Sequence, residues 1–142
     1  MGHVLTSAER TAFMAEPHVG VVAIETAGRA PLCVPVWYAW HDAAVLGFWM
    51  DGASPKVRGL RAAGRLSFCV QTTVRPYRYA SVEADVLCIT PIEWAAELVP
   101  LVERYLDATA GRGYLHALGG PDGVAGDVYV RAKVTRWRAE QL

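Results

Sequence analysis

Between Leu32 and Trp40 the side chains alternate with a period of two: Leu32, Val34, Val36, Tyr38 and Trp40 fall on one face, Cys33, Pro35, Trp37 and Ala39 on the other. Both faces are largely apolar, which predicts a strand covered on both sides. Pro35 cannot donate to a ladder, so it marks an edge, a bulge or a place where the sheet opens. Further strands are predicted over 19–25, 45–50 and 65–71, with a long or bent one over 77–89 and a last from Val128 to about Trp137. Helical signals interrupt them. Thr6 and Glu9 have capping-box spacing ahead of an apolar stripe that stops at Pro17, and Ser54-Pro55 opens a second helix that Gly64 closes. Trp94, Leu98, Leu101, Val102 and Tyr105 keep helical spacing to about Gly111, with a bend expected at Pro100. Gly119 to Gly126 reads as a loop.

The order is helix, three strands, helix, two strands, helix, strand. Short turns between successive strands make the sheet antiparallel, and six strands of this length can close into a small β-barrel with inserted helices. The 142 residues, without repeats or linkers, form one domain spanning 1–142. At 53% hydrophobic and 20% charged residues the chain can build a core without disulfides or a structural metal. Cys33, Cys69 and Cys88 contain no CxxC pair and sit in apolar runs, where a thiol is expected to be a small buried hydrophobe.

No basic-then-apolar leader opens the chain and no 18 apolar residues run together, so a cytoplasmic protein without membrane attachment is expected. Zero net charge argues against nucleic acid as partner. The four histidines are scattered and offer no metal-ligand spacing, so no metal is expected. The glycine-rich loop precedes a strand instead of joining a strand to a helix, and fails the context test for a dinucleotide or P-loop turn.

Two features carry chemistry. Ser54-Pro55-Lys56-Val57-Arg58-Gly59-Leu60-Arg61 sets a hydroxyl and cations at a helix N-terminus, which carries about half a positive charge, so a phosphate site is assembled from local parts. The bland alternative is a solvated basic helix. The aromatics Trp37, Tyr38, Trp40, Phe48, Trp49, Tyr77 and Tyr79 are concentrated before residue 80, and a strand bearing Trp37 and Tyr38 on opposite faces must bury one of them against a partner subunit or a planar ligand. A flat heterocycle with a phosphate tail would use both features.

The stretch from His18 to Val86 resembles the pyridoxamine 5'-phosphate oxidase-like split-barrel superfamily, and within it the flavin/deazaflavin oxidoreductase branch. The resemblance lies in His18-Val19-Gly20-Val21-Val22-Ala23, Pro35-Val36-Trp37-Tyr38, Ser54 to Arg61, and Tyr77-Arg78-Tyr79-Ala80-Ser81-Val82-Glu83, with Arg104-Tyr105-Leu106 and Arg136-Trp137 later in the chain. It implies a mainly β, six-stranded split β-barrel forming a homodimer, with FMN or coenzyme F-420 at the subunit interface and a small planar organic substrate. On this sequence Ser54, Lys56 and Arg58 would hold the cofactor phosphate with Arg61 in support. Pro35, Val36, Trp37 and Tyr38 would flank the ring, with Gln71 near its polar edge. Tyr77 and Tyr79 would border the substrate, and Trp49 is a further aromatic of the substrate side.

The chain departs from the branch at Gly59, Ala63-Gly64, Ala84 and Val134, changes that touch helix geometry and strand bending more than charge. It lacks the C-terminal Arg-x-His motif of a true pyridoxamine 5'-phosphate oxidase, which excludes that activity. The expected function is hydride or electron transfer by the bound cofactor. The competing expectation is a carrier or sensor that holds a cofactor or haem without turnover. An arginine-rich chain with only Lys56 and Lys133 as lysines suggests high-GC coding, which narrowly favours F-420 over FMN.

Overall fold

The computed structural model describes residues 2–142. Strands β1 (His3–Val4), β2 (Gly20–Ile24), β3 (Leu32–Val36), β4 (Ala39–His41), β5 (Val45–Met50), β6 (Arg65–Gln71), β7 (Arg78–Pro91) and β8 (Val128–Gln141) form one antiparallel sheet. Its hydrogen-bonded order is β3-β2-β6-β7-β8-β5-β4, with β1 added to the far end of β8. β3 and β4 therefore sit at opposite edges, yet only Trp37 and Tyr38 separate them in the chain. The sheet has to roll until its edges approach, which gives a barrel split between β3 and β4. Pro35 lies on that open edge, where its missing N–H costs no ladder bond.

The strand count is eight among the described residues, not six. The run from Leu32 to Trp40 is two strands because Tyr38 leaves the ladder: its N–H donates to the Tyr105 hydroxyl at 3.0 Å and its carbonyl accepts from the same hydroxyl at 3.1 Å. A side chain 67 residues away thus takes over the backbone groups that a continuous strand would have paired. The short β1 is the other addition.

Helix α1 (Ser7–Ala15) has the expected capping box, with the Thr6 N–H donating to Glu9 at 2.9 Å and the Glu9 N–H to Thr6 Oγ1 at 3.2 Å. Helix α2 (Pro55–Ala63) starts after Ser54 and ends at Gly64 in the left-handed region, φ 70°. Past residue 93 the chain is more broken than its apolar spacing suggests. A π-helical turn (Trp94–Leu98) leads directly into α3 (Val99–Tyr105), and Pro100 stands at this change of helix type, in the first turn of α3. Asp107 accepts from the Ala110 N–H at 2.8 Å and starts a separate α4 (Ala108–Ala117). The expected glycine loop holds a one-turn α5 (Gly120–Gly123).

The inner face of the barrel is filled by Val22, Ile24, Leu46, Phe48, Phe68, Val70, Val82 and Val130, with Tyr38 from the open edge and Phe13 and Met14 from α1. Leu32, Val34, Val36 and Trp40 pack against this core while Trp37 joins a second cluster around Leu98, Val102 and Val124, so the alternation assigned the faces of both strands. The cysteines depart from expectation. Cys33 and Cys69 are exposed and Cys88 is half-buried. Cys33 pairs with Ala23 and Cys69 with Val21 on the outward side of β3, β2 and β6, where among the described residues Cys33, Val21 and Cys69 stay exposed.

Candidate functional site

Two cavities adjoin along the open edge of the barrel. The first, about 450 Å³, runs from Val34, Pro35 and Val36 past Met50 and Asp51 to Ser54 and Lys56. The second, about 370 Å³, starts from the same Pro35 and Val36 and ends among Trp37, Leu101 and Tyr114, with Val19 at its mouth. Pro35, Val36 and Trp49 line both, so the two make one trough with a cationic and an aromatic end.

The cationic end is built by α2. The Ser54 hydroxyl accepts from the Lys56 N–H at 3.2 Å, and the Val57 and Arg58 N–H groups donate to the Ser54 carbonyl at 3.1 and 3.4 Å. The first-turn donors are therefore already paired, so an anion placed here would meet the Lys56 ammonium, the Arg58 guanidinium and the helix dipole rather than free backbone N–H groups. Arg58 is exposed and folds back so that Nη1 donates to the Ala53 carbonyl at 3.2 Å. Asp51 is occupied with the turn before the helix: its side chain accepts from the Ala53 N–H at 2.9 Å. Arg61 sits exposed in the last turn of α2, where it complements the negative end of the dipole and does not line the trough.

The aromatic end is held from behind. Trp37 stacks on Tyr105 with ring centroids 5.0 Å apart and 6° between the planes, and tilts against Tyr114 at 5.3 Å. The Tyr105 hydroxyl donates to the His18 carbonyl at 2.7 Å as well as bridging the Tyr38 backbone. Trp49 Nε1–H donates to Asp127 Oδ2 at 2.8 Å. The lining of this end carries no charged side chain.

Beside the trough, Arg104 fastens α3 to the end of α1 by donating to the carbonyls of Met14, Ala15 and Glu16. On the outer side of β5 and β8, the Tyr129 hydroxyl lies 2.8 Å from His41 Nε2 and Arg131 pairs with the buried Glu97 at 2.8 Å. Burial pushes the Tyr129 hydroxyl up to about 12, so it stays protonated.

Of the residues expected at a site, Pro35, Val36, Trp37, Trp49, Ser54 and Lys56 line the trough, and Arg58 stands at its cationic end. Tyr38 does not present its ring there: the side chain is fully buried, its hydroxyl donating to the Met14 carbonyl at 2.7 Å. Gln71 ends β6 exposed, paired with Tyr79 across the ladder, and neither lines the trough of its own chain. Tyr79 donates to Glu140 at 3.0 Å, and Tyr77 is 43% exposed on the approach to β7. At the aromatic end, Val19, Leu101 and Tyr114 are wall residues that the sequence did not single out for a site. The helical spacing of Leu101 marks it as a packed residue, and which surfaces Leu101 and Tyr114 meet depends on where α3 and α4 dock.

Among the described residues no group of three or more His, Cys, Asp and Glu could hold a metal ion, and no helix is long and apolar enough to cross a membrane. No protein-family model and no curated protein sequence matches the chain. Solved structures do. An F420 reductase superposes with a TM-score of 0.72 at 23% identity, covering 89% of this chain and 94% of that one. A FAD-binding protein from Mesorhizobium loti gives 0.67 at 19% identity over 100% and 99%. A candidate pyridoxamine 5'-phosphate oxidase from Corynebacterium glutamicum gives 0.59 at 10% identity over 99% and 93%. The chain has the fold of the pyridoxamine 5'-phosphate oxidase-like split barrels.

Proposed function

We propose that the trough binds a flavin or deazaflavin and that the protein is an oxidoreductase acting on a small, flat organic substrate. The observation that carries this reading is the continuity of the trough: Pro35, Val36 and Trp49 belong both to the end containing Lys56 and to the end containing Trp37 and Tyr114. A ligand with an anionic tail and a planar head matches that sequence of surfaces, and the solved structures of like fold include an F420 reductase and a FAD-binding protein. F-420 is the narrowly favoured cofactor and FMN the alternative. When bound, the cofactor supplies the hydride or electron chemistry. The chain's own residues anchor the phosphate through Lys56 and Arg58, back the ring with Pro35 and Val36, and keep water from the head through Trp37, Trp49 and Tyr114.

The reading includes a homodimer. Val19 and Val21 are 54% and 41% exposed, and Cys33, Pro35 and Cys69 continue this low-charge outer face beside the mouth of the trough. A second copy seated there would cover the face, and Gln71, Tyr77 and Tyr79, which miss the trough of their own chain, would serve the neighbouring one.

The test is titration of FMN and of F-420 into the wild type and into K56A/R58A. Loss of two charge-assisted contacts is expected to weaken binding at least about a hundredfold with an unchanged circular dichroism spectrum. Equal affinities in the two proteins would overturn the assignment of the cationic end. A wild type that holds cofactor but reduces no quinone, enone or nitro compound in a single turnover would be a carrier.

A further inference from the structure

Trp49 is the one side chain above the Pro35–Val36 floor that belongs to both ends of the trough, and its orientation is set from outside by one polar contact. Its Nε1–H points to Asp127 Oδ2 at 2.8 Å, which removes the indole donor from any ligand in the trough. Asp127 is itself fixed by its backbone: its N–H donates to the Val124 carbonyl at 3.0 Å and its carbonyl accepts from the Ile92 N–H at 3.0 Å. It immediately precedes β8, whose Val128 pairs with Met50 and whose Tyr129 pairs with Trp49. The carboxylate is therefore held at a defined place beside the indole before the contact forms. Val124 belongs to the apolar cluster on which Trp49 packs. One hydrogen bond and one packed edge leave the ring a single plane.

We infer that Asp127 is a positioning residue that holds the Trp49 indole as a fixed side wall of the passage joining the anion-binding and aromatic ends of the trough, presenting a purely apolar surface to the head of the ligand. Without the carboxylate the half-buried indole N–H has no partner, and the ring gains the freedom to swing into the passage it borders. The part of this inference that concerns ligands rests on the flavin or deazaflavin reading of the trough; the part that concerns the indole does not.

Two measurements separate these parts. In ¹⁵N-labelled protein the Trp49 indole resonance, assigned by its loss in W49F, is expected to exchange slowly with solvent in the wild type and in D127N, whose amide oxygen still accepts, and rapidly in D127A. FMN and F-420 dissociation constants are expected to rise about tenfold in D127A, with D127N recovering most of the loss. In the W49F background, which has no donor to lose, D127A is expected to add nothing. An unprotected Trp49 indole in the folded wild type would overturn the inference, as would a D127A effect that is the same size with and without W49F. If the wild type binds neither cofactor, the reading of the trough fails, and the indole exchange alone decides the role of Asp127.

Discussion

Trp37 and Tyr105 lie face to face, ring centroids 5.0 Å apart and planes 6° from parallel, and this pair joins the helical layer to the break between β3 and β4. The Tyr105 hydroxyl accepts from the Tyr38 N–H, and its one proton is shared between the His18 carbonyl at 2.7 Å and the Tyr38 carbonyl at 3.1 Å. The chain can leave the ladder at Trp37–Tyr38 because these groups find a partner there. Y105F keeps the stack and strands the backbone groups, so it should cost about 1–3 kcal/mol in urea unfolding. Y105L also removes the backing of Trp37, and should weaken cofactor binding where Y105F leaves it nearly intact.

Arg104 completes the end of α1. The last carbonyls of a helix have no partner within it, and here the guanidinium supplies one Nη1 bond to Ala15 at 3.0 Å and two Nη2 bonds, to Met14 at 3.1 Å and Glu16 at 2.9 Å. It also stacks over Tyr38, 5.0 Å from the ring centroid. A lysine keeps the charge but has neither the planar fork nor the stacking face. R104K is therefore expected to lose about 1.5–3 kcal/mol of stability, close to the loss in R104A. A denaturation midpoint for R104K near that of the wild type would show that charge alone suffices.

Gly47 is a glycine for lack of room. A Cβ there would fall on the Tyr129 hydroxyl and 2.6 Å from His41 Nε2. Neither ring has slack, since the two are hydrogen-bonded to each other and Arg131 lies 4.7 Å over the Tyr129 ring. G47A should separate the pair and destabilise the protein by about 1–3 kcal/mol. G47A combined with H41A, which vacates part of the space, should recover some of that loss in the same unfolding assay.

What was legible in the sequence was whatever neighbours in the chain decide. Thr6 and Glu9 cap α1, Ser54 and Pro55 start α2, and the alternation from Leu32 to Trp40 turns Val36 toward the barrel core and Trp37 toward the outer cluster. The cationic end of the trough was legible for the same reason, because Lys56 and Arg58 stand in the first turn of one helix. The break after Val36 was not legible, since the group that makes it, Tyr105, is remote. The exposure of Cys33 and Cys69 was misread because residue type outweighed position: Cys33 alternates with Val34 and belongs with Pro35 on the outward face. Tyr114 was missed because α4 could have turned any face toward the barrel.

Two half-buried histidines, His18 and His41, are placed to make stability fall on acidification. Burial lowers the pKa of His18 below the ordinary 6.5, outweighing the attraction of Glu16, while Arg78 and Arg104 act in the same direction as burial. Burial also lowers His41, reinforced by Arg131 and opposed by Glu97 and Asp42. For both, the unfolded chain binds the proton more readily than the folded one, so the sign of the linkage is fixed. Stability is complete above about pH 6.5 and falls as the pH drops through that value toward the lower folded pKa values. The depressed Glu9 carboxyl titrates below 4.5 and does not contribute in this window. Urea unfolding between about pH 8 and pH 5 should therefore give a falling stability on acidification in the wild type. H18Q/H41Q, with nothing to protonate at these sites, should give a flatter profile over the same range whatever its absolute stability. Parallel profiles for the two proteins would mean that the acid sensitivity arises elsewhere in the chain.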